Sequence, residues 1–429
     1  MIYLTLFLGL VLRLISINQS LWLDEATTAL VSQMSLVDFF TKFMPGDFHP
    51  PFYYLVISLW SQVFGNSEIT LRIPSVMFGG LTVYMVYLIA KEIKILYPLT
   101  PALFLATSGL HIYYSQEARM YSMATFLVCL IIYLYIKKKW FYFSVATAIL
   151  FLTDYLSLLI LSGLIIFTYF NDYKNLKKLF LSLIPLIIAF LLWLPIFTSQ
   201  VSKGVALKET SSVWWNVLGP VTFKNIALIP TKFITGRVEI DNKIIYGIVI
   251  IAISFLFAYI IGRAKNKLVW SCFLSSIILG IVFSFFIPTL SYFRYLFVLP
   301  AFYLLLSETK SKAFVVLVLI INIFFTSKYL FEEKNHRENW REIANRVGSE
   351  KIVFPAMSQK EALIYYGKEK QIIRKEEVEM RDKTIWLSRY VWNVFDSSDS
   401  TRRYIENLGY NWTEELNMNG VVFWKYTKL

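Results

Sequence analysis

Long apolar runs separated by short polar segments fill the first three-quarters of the chain. A helix needs about 20 apolar residues to cross a bilayer, with about 17 as the lower limit. On this criterion the pattern predicts eleven membrane-spanning helices, several of them short. The predicted spans are Met1–Ile17, Ile73–Ala90, Leu99–Tyr114, Met120–Ile136, Trp140–Thr153, Tyr155–Phe170, Leu179–Thr198, Ile244–Ile261, Leu268–Ile287, Phe293–Leu306 and Ala313–Leu330.

One further apolar run, Pro51–Gly65, is either a twelfth span or a helix that lies at the membrane interface. If it does not cross, five lysine- and arginine-rich loops fall on one side of the membrane. The short loops on the opposite side then contain only two basic residues, Arg119 and Arg294. Because basic loops mark the cytoplasm, the N-terminus is then predicted inside and the C-terminal part outside. If it does cross, Met1–Ile17 would start outside. We favour the interfacial position, because a proline pair and many aromatic residues suit that depth.

Composition and charge divide the chain into two parts. The chain is 57% hydrophobic and 17% charged, which excludes a soluble globular protein and indicates a multi-pass membrane protein. Residues 1–330 hold 25 Lys and Arg against 13 Asp and Glu, whereas residues 331–429 hold 17 against 16. We therefore predict an all-α transmembrane domain at 1–330, with interfacial helices, and a small extracytoplasmic α/β module at 331–429. The formal charge of +13 fits cytoplasmic loops better than nucleic acid binding.

Smaller features refine this division. The runs "KIVFPA", "TIWLSRY" and "VVFWKYT" predict strands in the C-terminal module. Trp214 and Trp215 lie in a loop that mixes apolar and polar residues, as interfacial helices do. The two cysteines, Cys129 and Cys272, lie inside apolar runs. We therefore expect neither a disulfide framework nor a cysteine-based metal site.

Ionisable residues gather at the predicted outer face of the membrane. Asp24 and Glu25 follow the first span, and the stretch "YSQEARMY" places Glu117 and Arg119 between two apolar runs. A charge at such a depth is costly and suggests a function. Each residue also has an ordinary explanation as part of a solvated loop, a helix cap or an interfacial anchor. The complete set is Asp24, Glu25, His49, Arg72, His111, Glu117, Arg119, Asp154 and Arg294.

The order of these motifs resembles a known family. The segments "LWLDEA", "HPPFYYL", "LRIPSVMFGGLTVYMVYLIAKE", "YSQEARMY" and "SYFRYLFVLP" follow the order found in C-type (GT-C) membrane glycosyltransferases. The likeness covers most of Met1–Leu330 and is greatest to the branch with protein O-mannosyltransferases and the lipid A aminoarabinose transferase. The tail "ENWREIANRV" is also typical of that branch. The resemblance implies transfer of a sugar from a polyprenyl-phosphate carrier to an acceptor lipid, glycan or protein outside the cell membrane.

The resemblance also implies roles for single residues. The first acidic motif of the family falls on Asp24, with Glu25 beside it, and the second falls on Glu117. We expect Asp24 to act as the general base, worth about 10²–10⁴-fold in rate, in a single-step attack that inverts the anomeric carbon. Cations are expected to hold the donor's phosphate, with arginine offering a bidentate fork. The predicted substrate-binding residues are His49, Arg72, Tyr114, Arg119, Arg294 and Tyr295.

Departures from the family and rival functions leave some points open. The aminoarabinose enzyme has Glu-Lys where this chain has Phe48-His49, and many relatives have His-Tyr in place of Asp154-Tyr155. A divalent cation, Mg²⁺ or Mn²⁺, would suit Asp24, Glu117 and His111, although many relatives need none. A transporter or flippase of lipid-linked sugars is the main alternative, but it would favour ionisable residues near the midplane. A non-catalytic assembly protein would not require this set of residues.

Overall fold

Helices form most of the computed structural model, which describes residues 1–210, 213, 217–379 and 382–428. Within these residues, five helices are long and apolar enough to cross a membrane, and six shorter apolar helices have 10–17 residues. The predicted multi-pass, mainly helical architecture is therefore confirmed. The number of eleven spans stays a prediction. Trp214 and Trp215, with their predicted interfacial helix, lie outside the described residues.

Most of the longer helices of the membrane part lie within the predicted apolar runs, whereas α2 and α11 lie in the predicted outer loops. Several start at a polar side chain that accepts a backbone N–H of the first turn, as Ser67, Asn266 and Ser311 do. Short helical turns at Leu36–Asp38, Phe39–Phe43, Met44–Gly46, Leu156–Leu159, Tyr173–Asn175, Leu176–Leu181 and Tyr292–Val298 connect the longer helices. Those helices are α1 (Ile2–Leu14), α2 (Leu23–Val31), α3 (Phe52–Phe64), α4 (Glu68–Glu92), α5 (Leu99–Ala106), α6 (Gly109–Ser115), α7 (Tyr121–Ile136), α8 (Trp140–Phe151), α9 (Ile160–Asn171), α10 (Ile184–Thr210), α11 (Phe223–Thr235), α12 (Lys243–Ile261), α13 (Lys267–Ser284), α14 (Leu299–Leu306) and α15 (Lys312–Phe331).

The predicted span Leu99–Tyr114 is not one continuous helix, which corrects the sequence reading. Two residues separate α5 from α6, and the break frees backbone carbonyls that need partners at membrane depth. Arg13 of α1 donates to the carbonyl of Ala106 over 3.2 Å. On the other side, Asn322 and Thr326 of α15 donate to carbonyls next to the break, over 2.9 and 2.8 Å. Polar side chains of two neighbouring helices thus stabilise the interruption.

The C-terminal part contains a five-stranded sheet. Its strands are β1 (Lys351–Val353), β2 (Ile372–Ile373), β3 (Thr384–Ser388), β4 (Tyr410–Met418) and β5 (Val421–Lys428), in the order β2-β1-β3-β5-β4. β1 pairs in parallel with β2 and β3, and β5 pairs antiparallel with β3 and β4. Helices α16 (Trp340–Arg346), α17 (Glu361–Tyr365), Trp392–Phe395 and α18 (Ser400–Asn407) accompany the sheet, with short turns at Glu333–Asn335, Met357–Gln359, Glu369–Gln371 and Lys375–Glu377. The small α/β module is thus confirmed, and each of the three predicted strand-like runs contains a strand.

The module contacts the loop that leads into α2. Arg341 donates from its backbone N–H to the hydroxyl of Ser20 over 3.0 Å, and its guanidinium forms a 2.8 Å ion pair with Glu68 at the start of α4. The hydroxyl of Tyr366 accepts the backbone N–H of Leu21 over 2.9 Å. These contacts fix the chain immediately before α2. The first turn of α2 carries Asp24 and Glu25, so the module contacts the segment that leads directly to these carboxylates.

Candidate active site

Asp24 is the accessible carboxylate of the predicted catalytic set. It lies in the first turn of α2, where the partial positive charge of a helix N-terminus favours an anion. Its side chain is 40% exposed, and its Oδ2 lies 3.8 Å from Nη2 of Arg119, at the outer limit of an ion pair. Such a carboxylate is in contact with solvent and beside a cation. It can accept a proton from a substrate hydroxyl group.

Arg119 is the centre of a buried polar cluster. It follows α6 in the turn before α7, and its Nη1 donates to the hydroxyl of Tyr54 over 3.0 Å. Its Nη2 lies 3.2 Å from Nδ1 of His49, while Tyr54 donates to Oδ2 of Asp47 over 2.8 Å. Burial would raise the pKa of Asp47, but His49 and Arg119 lower it to about 2. The buried Nε of Arg119 makes no hydrogen bond within the described residues. A guanidinium with a free N–H beside an imidazole is suited to a phosphate oxygen.

Glu25 forms a buried ion pair with Arg72 instead of facing Asp24. Its Oε1 accepts from Nε of Arg72 over 2.8 Å, and its Oε2 accepts from Nη2 over 2.5 Å. Burial would raise the pKa of Glu25, but Arg72 and Arg337 lower it below its usual value. The other N–H groups of Arg72 donate to backbone carbonyls before α2, so none of its five donors is left for a substrate. The pair joins α2 to α4.

Glu117 forms the second buried ion pair, and its partner comes from the C-terminal part of the chain. Nη1 of Arg337 donates to Oε2 of Glu117 over 2.6 Å, and both side chains are only 1% exposed. The guanidinium of Arg337 also lies 3.9 Å from the ring centre of Tyr113. Burial raises the pKa of Glu117, and Arg337 opposes this effect without cancelling it. Glu117 therefore serves as an anchor point for Arg337 in this structure.

Arg294 is a half-buried cation near the same turn. It makes one hydrogen bond of 3.3 Å to a backbone carbonyl, and within the described residues no carboxylate forms an ion pair with it. Its neighbour Phe293 packs against Tyr114, with ring centres 6.0 Å apart. Tyr295 lies elsewhere, because a Cβ at Gly280 would be 2.2 Å from its hydroxyl oxygen. The structure thus places Phe293, the neighbour of Arg294, against Tyr114, and places Tyr295 against α13.

The three residues considered for a metal ion do not converge. His111 lies with its Nδ1 2.6 Å from Nη2 of Arg13, while Glu117 is paired with Arg337 and Asp24 lies beside Arg119. A cation next to each of these groups opposes the binding of a second cation. In the part of the chain that the structure describes, no group of three or more His, Cys, Asp or Glu could hold a metal ion. The residues present therefore do not fit Mg²⁺ or Mn²⁺ at this position.

Asp154 acts as a cap in the turn after α8. Its Oδ2 accepts the backbone N–H of Ser157 over 2.9 Å and also the hydroxyl of that residue. Burial raises its pKa, although these hydrogen bonds act against the rise. This geometry agrees with the ordinary explanation of a carboxylate at the start of a helical segment.

Several residues of the site were not singled out in the sequence. Arg13 is the only charge inside the first predicted span, and that isolation is a signal of function or of a specific partner. Tyr54 lies within the motif "HPPFYYL", which begins at His49, and Asp47 precedes it by two residues, so both could have been found by examining that segment more closely. Arg337 had no comparable signal, because one arginine in a charged, soluble segment is ordinary.

Comparisons with known proteins bear on the fold of the chain. Residues 48–199 match the family model described as dolichyl-phosphate-mannose-protein mannosyltransferase. The chain is similar to the crystal structure of ArnT from Cupriavidus metallidurans bound to undecaprenyl phosphate, with a TM-score of 0.56 and 12% identity over 99% of this chain and 97% of that chain. It is similar to the apo form of ArnT with the same TM-score, 11% identity and the same coverage. Among curated proteins, no sequence matches significantly.

These findings define the fold of the chain. The chain has the fold of C-type (GT-C) membrane glycosyltransferases, and it is a multi-pass membrane protein. The resemblance to this class that the sequence predicted is confirmed, and its segment 48–199 carries the sequence match to the mannosyltransferase family.

Proposed function

We propose that this protein is an integral membrane glycosyltransferase of the cell envelope. It moves a sugar from a polyprenyl-phosphate-linked donor to an extracytoplasmic lipid, glycan or protein. The observation that carries the proposal is the half-exposed carboxylate of Asp24 beside the buried cluster of Arg119 and His49. The fold supports the reaction class, and the undecaprenyl phosphate bound to ArnT supports the class of donor.

In the proposed reaction Asp24 takes the proton of an acceptor hydroxyl group. The acceptor oxygen forms a bond to the anomeric carbon while the bond from that carbon to the phosphate oxygen breaks. The polyprenyl phosphate leaves with the electron pair, so it needs cations more than a general acid. Arg119, His49 and Arg294 supply these contacts, and attack from the opposite face inverts the anomeric carbon. Glu25 and Glu117 keep the site in shape through their buried ion pairs.

The proposed orientation has the N-terminus in the cytoplasm and the C-terminal module outside. Lys138, Lys265 and Lys267 line one cavity, so basic loops from different parts of the chain lie at the same end of the helices. The C-terminal module lies with Asp24 at the other end, through its contacts to the segment before α2. This separation supports the assignment of the basic end to the cytoplasm.

A transfer assay with labelled donors tests the proposal. Undecaprenyl phosphates carrying a radiolabelled sugar are incubated with the purified protein and with membranes from a strain that lacks its gene, which supply the acceptor. The label is expected to leave the donor lipid and appear in an envelope product with one of the sugars. Asp24→Asn is expected to abolish transfer, whereas Asp38→Asn, an exposed aspartate of the same outer loop, is the matched control. Movement of intact donor across proteoliposomes without cleavage would instead indicate a flippase.

A further inference from the structure

Glu338 of the C-terminal module is a carboxylate without a cationic partner. Its Oε2 accepts the indole N–H of Trp340 over 2.8 Å, and its Oε1 accepts the hydroxyl of Tyr390 over 2.7 Å. Within the described residues it forms no ion pair. A comparable carboxylate in the module, Glu350, accepts an indole N–H but also has Lys425 at 3.4 Å. Glu338 thus differs from its counterpart in lacking a direct ion pair among the described residues.

Glu338 lies near the candidate active site. Asp24 is within electrostatic range of Glu338 and of Tyr390, and Arg237 is within range of both. Glu338 and Tyr390 are each half-buried, as is Asp24. The preceding residue, Arg337, is fixed by its 2.6 Å bond to Glu117, which holds this segment of the module against the membrane part. Asp24 and Glu338 therefore lie near each other, although they belong to different parts of the chain.

The unused hydrogen-bonding capacity of Glu338 indicates what it would bind. A carboxylate has about four acceptor positions, and Trp340 and Tyr390 use two of them. Burial raises the pKa of Glu338, so this position is unfavourable for the charge in the absence of a ligand. A ligand that donates hydroxyl hydrogen bonds would offset this cost. Sugars present several such donors on one face.

We propose that Glu338 forms a sugar subsite of the active site and accepts a hydrogen bond from a hydroxyl group of the donor's sugar. Tyr390 and Trp340 act as positioning residues for its carboxylate. This inference rests on the proposed function, since a donor phosphate held at Arg119 places its sugar beside Asp24. The module is then part of the catalytic unit and contributes to the choice of sugar.

Binding measurements with two probes test the subsite. The purified full-length protein in detergent is titrated with undecaprenyl phosphate and with undecaprenyl phosphates that carry glucose or mannose. Glu338→Gln is expected to weaken binding of a sugar-linked lipid by about 10- to 150-fold, because a charge-assisted hydrogen bond is lost. Binding of undecaprenyl phosphate itself is expected to stay unchanged. Tyr390→Phe is expected to weaken binding of the sugar-linked lipid less than Glu338→Gln does, because it removes only the hydroxyl that orients the carboxylate.

Controls separate the possible outcomes. Glu350→Gln, which changes the paired carboxylate at Trp386, is expected to bind both probes as the unmodified protein does. Thermal unfolding of each variant identifies loss of fold. The sugar subsite is wrong if Glu338→Gln and Tyr390→Phe both fold and bind the sugar-linked lipids with normal affinity. It is also wrong if both variants lose affinity for undecaprenyl phosphate and for the sugar-linked lipids to the same extent. If the unmodified protein does not bind undecaprenyl phosphate, the proposed function fails instead.

Discussion

Arg337 and Glu117 form a buried ion pair although they lie 220 residues apart in the chain. Arg337 precedes α16 of the C-terminal module, and Glu117 lies in the turn between α6 and α7 of the membrane part. Nη2 of Arg337 also donates to the carbonyl of Tyr113 over 2.8 Å. Arg337 therefore caps the C-terminal end of α6 and neutralises the buried charge of Glu117. The position of the module depends on the same turn that carries Arg119.

The first prediction concerns this pair. Arg337→Ala leaves Glu117 buried without its cation, and the loss of one partner of a buried pair costs about 3–5 kcal/mol. A clear fall in the thermal unfolding temperature of the purified protein is therefore expected. The double variant Arg337→Met with Glu117→Gln is expected to recover part of this loss, because no lone charge remains buried.

An exposed pair of the same module provides the control for this prediction. Arg346 lies 2.8 Å from Glu342 one helical turn away, with the Arg346 side chain 61% exposed. Arg346→Ala is expected to change stability by less than about 1 kcal/mol, since exposed pairs contribute little. Equal unfolding temperatures for Arg337→Ala and Arg346→Ala would show that the buried pair does not hold the module.

Much of the fold could be predicted because it depends on local patterns. Apolar runs long enough for a membrane located the helices, and alternating β-branched and aromatic runs located β1, β3 and β5. The break between α5 and α6 could not be predicted, since the carbonyls that it frees are satisfied by Arg13 and Asn322 from distant helices. Strand β4 was missed because its residues, such as Glu414 and Glu415, are polar and exposed at the edge of the sheet.

The candidate site could be predicted only in part. Asp24, His49 and Arg119 lie in short motifs at the outer ends of apolar runs, so position along the chain was sufficient to bring them together. Charge alone could not distinguish Asp24 from Glu25. The two differ because the fold places Arg72 against Glu25, where it forms a buried ion pair. Glu338 begins the segment "ENWREIANRV", but its hydrogen bond with Tyr390 could not be predicted, because Tyr390 lies 52 residues away in the chain.

The second prediction concerns the general base. Asp24→Asn preserves the size of the side chain and removes its basicity, so turnover in the transfer assay is expected to fall by about 10²–10⁴-fold. Binding of the sugar-linked lipid is expected to survive. Near-normal turnover of this variant would remove Asp24 from the mechanism. Asp38→Asn is expected to retain full activity, because Asp38 is exposed and paired with Lys42 on the surface.

The third prediction concerns the orientation of the chain in the membrane. Cysteines at Lys138 and Lys177 are expected to resist an impermeant thiol reagent in intact cells or spheroplasts, whereas a cysteine at Ser398 is expected to react. All three positions are exposed, and the native Cys129 and Cys272 are buried, so background labelling should be low. Permeabilised cells supply the control, in which all three positions should react. The opposite pattern in intact cells would reverse the proposed orientation.

The last prediction concerns the phosphate of the donor. Arg294 is half-buried and has no carboxylate partner within the described residues, so its charge is available to a ligand. Arg294→Ala is expected to weaken binding of undecaprenyl phosphate, with or without a sugar, by about 10- to 150-fold. Arg294→Lys is expected to restore only part of the affinity, because lysine lacks the planar fork. This response differs from that of Glu338→Gln, which should affect only the sugar-linked lipids.

A structural role of Arg294 would give a different result in the same experiment. Arg263, which lies 4.2 Å from the ring centre of Tyr259 at the basic end of the helices, provides a matched cation away from the site. Arg263→Ala is expected to leave the affinity for undecaprenyl phosphate unchanged. If Arg294 were only an interfacial anchor, its replacement would lower the unfolding temperature and leave the affinity of the folded fraction intact. Measuring affinity and thermal unfolding on the same preparations therefore decides whether Arg294 binds the phosphate.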